Sequence, residues 1–116
     1  MTEPPRVVET DDVVLTGDDL GAPLGPRATF VQLSSAFCLP CRSTRTVLAR
    51  VAAQHEGVAH IELDVADHLD LGERLDVAAT PTVLVLDAAG VVRVRAVGAP
   101  TLAQARVALA RALSGP

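Results

Sequence analysis

Cys38 and Cys41 are the residues best suited to chemistry. They are the only two cysteines in the 116-residue chain, spaced C-x-x-C around Leu39 and Pro40. A β-branched apolar run, Ala28 to Leu33, precedes them, and Pro40 to about His55 follows with Val47, Leu48 and Val51 at helical spacing. The pair therefore sits where a strand hands over to a helix. A sulfur at a helix N-terminus faces unsatisfied N–H groups and the positive end of the macrodipole. That field, worth about 0.3–2 kcal/mol, favours thiolate over thiol. Cys38, nearer the helix end, is expected to be the nucleophile. Cys41, one helical turn on, is placed to close a disulfide and release a partner. Pro40 suits the first turn, where its missing N–H is no loss, and stiffens the motif.

Two plainer readings of the same residues are weaker. A stabilising disulfide over so short a loop constrains the unfolded chain by only about 2 kcal/mol. Half a zinc site would need further ligands, and there is no second C-x-x-C. His55, His60 and His68 lack the usual ligand spacing, so no metal is expected, and disulfide exchange through Cys38 and Cys41 needs no organic cofactor. Arg42, Arg45 and Arg50 recur at helical spacing and read as a solvated positive face.

The elements that must hold the pair follow from pattern. Met1 to Arg6, with two prolines, reads as a flexible tail of a single domain spanning 1–116. Val7 to Leu15 predicts a short first strand around the Thr10-Asp11-Asp12 turn signal, and Asp18 to Arg27 a loop with one helical turn. Val58 to Leu63 is a strand, Asp67 to Leu75 a weaker helix, and Thr82 to Asp87 a buried strand. Pro81 suits the start of that strand because it has no N–H for the ladder. Ala88-Ala89-Gly90 turns the chain into Val91 to Val97, where Val92, Val94 and Ala96 alternate with Arg93 and Arg95. Thr101 and Gln104 form a capping box for a last helix to Leu113, with Leu102, Leu109 and Leu113 as its buried face. A β–α–β unit followed by a hairpin and a helix predicts an α/β fold, a mixed central sheet flanked by helices on both faces.

Composition excludes several classes. A hydrophobic share of 49% and a net charge of -4 exclude disorder. Fourteen acidic against ten basic residues, no Trp, no Tyr and two Phe leave neither a basic footprint nor stacking platforms for nucleic acid. All ten basic residues are Arg, an association with GC-rich bacterial genomes. The acidic start does not read as a signal peptide, and no apolar run reaches the roughly 18 residues of a membrane span, so a cytoplasmic location is expected.

The strand, FCLPCR, a helix, then Thr80-Pro81-Thr82 before an apolar strand, with Gly98 after the last strand, resembles the thioredoxin family over about residues 7–113. The resemblance implies the thioredoxin-like fold and a redox-active Cys38–Cys41 pair. It also implies a cis Thr80–Pro81 bond beside that pair and a partner peptide pairing with the backbone of Thr80. Gly98 would admit the partner, and Phe37 and Leu39, with Ala99 and Pro100, would form an apolar docking rim. The implied activity is thiol–disulfide oxidoreduction on disulfide-containing partner proteins by a monomer, with electrons from an unidentified reductase. The alternative is a protein-binding module whose Cys pair is a redox switch or vestigial. A weaker third reading is a metal carrier using the two thiolates.

The departures from the family matter. Phe37 stands where thioredoxins usually have Trp, Leu39 where they have Gly, and Thr46 where a Pro kinks the helix. Their buried acid falls on Gln32, and its Lys counterpart on the next strand aligns with His60. Gln cannot accept a proton. His60 is therefore a candidate proton relay with Gln32; the plainer reading is a strand histidine held by ordinary hydrogen bonds.

Overall fold

The computed structural model describes residues 6–8, as backbone, and residues 13–114. Its elements are β1 (Arg6–Val8), α1 (Gly17–Leu20), β2 (Ala28–Ser34), α2 (Leu39–Ala53), β3 (Val58–Asp64), α3 (Leu69–Arg74), β4 (Thr82–Asp87), β5 (Val92–Val97) and α4 (Leu102–Leu113), with a 3-10 turn at Val65–Asp67. Arg6, expected in the tail, belongs to β1, because it pairs with Val97 of β5. The Thr10-Asp11-Asp12 turn signal lies outside the described residues.

The five strands run in the order β1-β5-β4-β2-β3. β2 pairs parallel to β3, and the remaining pairings are antiparallel. The sheet is therefore mixed, as the β–α–β unit and the hairpin required. β2 lies inside the sheet, between β4 and β3, and all seven of its residues are buried.

Alternation along the strands divides the interior in two. Ala28, Phe30, Val83, Val85 and Val94 face α2 and α4, packing on Leu48, Val51, Ala105 and Leu109. Val31, Leu33, Ile61, Leu84, Leu86 and Val92 face the opposite way, packing on Leu15, Leu20, Leu71 and Leu75. Helices thus cover both faces. On α4 the capping box forms as expected, Thr101 Oγ1 accepting from Gln104 N–H and Gln104 Oε1 from Thr101 N–H. Its inner stripe is Ala105, Leu109 and Ala112, with Leu102 and Leu113 only partly buried. The small alanines let α4 lie close to the sheet.

β5 departs from simple alternation. The register pairs Val85 with Val94 but Leu86 with Val92, so Arg93 is an extra residue on the β5 side. The bulge turns Val92 toward one core and Val94 toward the other, instead of leaving both on one face. Asp87 fixes this corner. Its carboxylate accepts from the N–H groups of Ala89 and Val91 and from Arg93 Nε at 2.8 Å. Burial works against that charge, but Arg93 and the two N–H groups outweigh it and hold the carboxyl below its usual range. Arg95 is equally committed: its guanidinium donates to the carbonyls of Leu75 and Asp76 at the C-terminal end of α3.

Candidate redox site

Cys38 is the N-cap residue of α2, with extended backbone angles. It is joined to Cys41 by a disulfide, the two Cα atoms 5.2 Å apart. Cys38 Sγ accepts a hydrogen bond from Cys41 N–H at 3.1 Å. This is one of the helix-end donors that has no carbonyl partner inside the helix, so it points at sulfur. The fifteen-residue length of α2 supports a full macrodipole at the same place. The two sulfurs are unequally placed: Cys38 is partly exposed, whereas Cys41 is 1% exposed.

Three loops converge here. Ser35, just after β2, shares a hydrogen bond of 2.7 Å with the Thr80 hydroxyl. The Thr80–Pro81 peptide bond is cis, and Pro81 is buried. Gly98 N–H donates to Pro81 O at 2.9 Å, with a φ of 98° that suits glycine. The disulfide loop, the Thr80–Pro81 loop and the turn after β5 are thereby fastened side by side. Phe37 is fully exposed at a φ of 57°, Leu39 is 72% exposed, and Ala99 is exposed. Pro100 instead lines a crevice with Phe30, Leu48 and Ala105, so it packs toward the α2/α4 core.

Beneath the disulfide lies a polar network. Gln32 is fully buried, and its Nε2 donates to the backbone carbonyl of Cys41 at 2.8 Å and to Ser34 Oγ at 3.0 Å. The same nitrogen lies 3.2 Å from Glu62 Oε2, and Gln32 Oε1 accepts from His60 Nε2 at 3.0 Å. Gln32 and His60, linked in the sequence reading, do meet. The cross-strand partner of Gln32, however, is Glu62, while His60 sits opposite Phe30. Glu62 is the residue that sequence reasoning passed over. It accepts from Ser34 Oγ at 2.8 Å and pairs with Arg45, Nε to Oε1 at 2.5 Å and Nη2 to Oε2 at 3.0 Å. The sequence marks it only as one of His60, Glu62 and Asp64, three polar residues alternating on one face of β3.

The charges follow from these contacts. Arg45 holds the Glu62 carboxyl below its ordinary range against partial burial, helped by the Ser34 hydroxyl. Burial pushes the His60 imidazole down, with Glu62 opposing and Arg45 assisting, so the ring favours its neutral form. Arg45 is thus an ion-pair partner and not only part of a solvated face.

Two clefts flank the disulfide loop. One, about 440 Å³, is lined by Ser34, Ser35, Ala36, Phe37, Cys38, Arg42, Arg45, Glu62 and Asp64. The other, about 560 Å³, runs from Ser35 and Thr80 to Leu69, Gly72 and Val77 of the α3 region and is mostly apolar. Among the described residues no group of three or more His, Cys, Asp or Glu side chains is arranged to hold a metal ion. No helix among them is long and apolar enough to cross a membrane.

A mixed sheet covered by helices on both faces, with a C-x-x-C disulfide at the start of α2 and a cis proline before β4, defines the thioredoxin fold. Solved structures bear this out. Chloroplastic thioredoxin z matches with a TM-score of 0.72 over 87% of this chain and 93% of its own, at 23% identity. Mitochondrial thioredoxin 3 of Saccharomyces cerevisiae, in its oxidized form, matches with a TM-score of 0.64 over 72% of this chain and 77% of its own, at 18% identity. Thioredoxin of Fasciola hepatica matches with a TM-score of 0.64 over 74% and 81%, at 23% identity. No protein-family model matches the sequence, and the comparison with curated proteins finds no match.

Proposed function

We propose that this chain is a thiol–disulfide oxidoreductase acting on disulfides of partner proteins through Cys38 and Cys41. The observation that carries the reading is the unequal exposure of the two sulfurs at one helix end: Cys38 meets solvent, Cys41 does not. In the reduced protein the Cys38 thiolate, stabilised by Cys41 N–H, attacks one sulfur of a partner disulfide. A mixed disulfide forms and the partner's other sulfur leaves as thiolate. Cys41 then loses its proton and attacks Cys38 Sγ. That restores the intramolecular disulfide and releases the second partner thiolate. Two electrons pass from the dithiol to the partner.

In this reading Pro40 stiffens the motif, and Pro81, Thr80 and Gly98 shape the wall against which the partner lies. Thr80 offers backbone groups to an extended peptide. Phe37, Leu39 and Ala99 supply the exposed apolar rim for docking. The His60–Gln32 hydrogen-bond chain ends at the Cys41 carbonyl and not at its thiol, which supports the plainer reading of His60 as a hydrogen-bonded strand histidine over a proton relay. We take the chain to be one domain of 1–116 and a monomer, in a cytoplasmic compartment where a reductase returns the electrons.

The test is turnover of insulin disulfides by the full chain with dithiothreitol as the electron source. The expected result is precipitation of the insulin B chain well above the rate with dithiothreitol alone. A reversible Cys38–Cys41 couple in a glutathione titration, without that turnover, would instead favour a binding module.

A further inference from the structure

The polar cleft beside Cys38 carries an inference that rests on the oxidoreductase reading and narrows its substrates. Small residues at the end of β2 and just beyond it leave room for the cleft: Ser34, which is buried, Ser35 and Ala36 all line it. At about 440 Å³ it is the size of a small-molecule site, and Cys38 opens into it.

Its charges do not cancel evenly. Arg45 and Glu62 neutralise each other through their two hydrogen bonds. That leaves Arg42 on α2 and Asp64 at the end of β3. The Arg42 guanidinium has no hydrogen-bond or ion-pair partner among the described residues. The Asp64 carboxylate accepts only from Ala66 N–H, at 2.8 Å, and has no cation against it. One unpaired cation and one unpaired anion in a polar cleft beside a reactive sulfur complement a group that carries both signs close to its own sulfur.

We propose that this cleft is a subsite for small amino-acid disulfides, with Arg42 receiving the carboxylate and Asp64 the ammonium. The Cys38 thiolate attacks one sulfur of the small disulfide, forming a mixed disulfide and releasing one small thiolate. Cys41 thiolate then attacks Cys38 Sγ and releases the second. The dithiol gives up two electrons and two protons, and the small disulfide becomes two thiols.

The test compares three probes oxidising the reduced full-length protein: L-cystine, carrying both charges, cystamine, carrying only the ammonium, and bis(2-hydroxyethyl) disulfide, carrying neither. Loss of thiols is followed by alkylation and mass. Arg42→Gln is expected to slow cystine about threefold, the scale of an exposed ion pair, and to leave the other two unchanged. Asp64→Asn, which keeps an oxygen for Ala66 N–H, is expected to slow cystine and cystamine about threefold and to spare the neutral probe. Both effects should fade as salt rises. Equal slowing of all three probes, or no change with cystine, overturns the subsite. Failure of the neutral probe to oxidise the parent protein would instead overturn the oxidoreductase reading, and the subsite with it.

Discussion

The side-chain amide of Gln32 donates to the backbone carbonyl of Cys41 at 2.8 Å, so a buried neutral group, not a charged one, sits under the inner cysteine. The amide also serves Ser34 and His60, which makes it the node of the network. Replacing it by leucine would leave the Cys41 carbonyl and His60 Nε2 without that partner. Gln32→Leu is expected to lower stability by about 1–3 kcal/mol, read from urea unfolding of the oxidised protein. An unchanged midpoint would mean that water takes over every bond.

The cysteines should separate cleanly in function. Cys41→Ser is expected to accumulate a mixed disulfide with a partner protein on Cys38, because nothing remains to resolve it. Cys38→Ser should form none, since the remaining thiol is buried. Nonreducing gels and mass measurement would read both outcomes. Trapping through Cys41 in the second variant would reverse the assigned roles.

His60 has a depressed pKa, chiefly from burial, so the unfolded chain takes its proton first as pH falls. Stability from this site is therefore present above the ordinary value of 6.5 and declines as pH drops below it toward the folded value. Glu62, held down by Arg45, adds a second loss as pH falls from 4.5 through its own folded value. Substituting His60→Gln should flatten the first decline and leave the second, as measured by unfolding midpoints from about pH 8 to about pH 3. The relay is checked separately. Resolution of the mixed disulfide in His60→Ala is expected to keep its pH profile, because a carbonyl, not a thiol, ends the chain from His60. A slowed, pH-shifted resolution would establish the relay.

Gly90 turns β4 into β5 at a φ of 85°, and a Cβ there would stand 2.1 Å from Leu15 O. Both the backbone angle and the space exclude a side chain. Gly90→Ala should cost about 1–3 kcal/mol from the strained conformation, with the clash adding to it. Thermal unfolding would show it, and a variant as stable as the parent would place the turn elsewhere.

Much of this was legible in the sequence because local chemistry decided it. The C-x-x-C at a strand–helix junction, the Thr101 and Gln104 capping box, the apolar β4 and the mixed sheet all came from short-range pattern and composition. What was not legible depends on partners distant in the chain. Glu62 gains its position from the parallel register that sets it opposite Gln32, and no feature of ELD reveals that alignment. The same holds for Arg93, whose extra place in the ladder exists only once β4 is beside it.

That bulge has a mechanical consequence. β2, β4 and β5 each send residues to both hydrophobic layers, and β5 does so across its bend, Val92 to one layer and Val94 to the other. Neither can loosen without pulling on the other. The molecule should therefore melt as one cooperative unit, and the stability of the distant α1/α3 side is transmitted to the helix that presents Cys38.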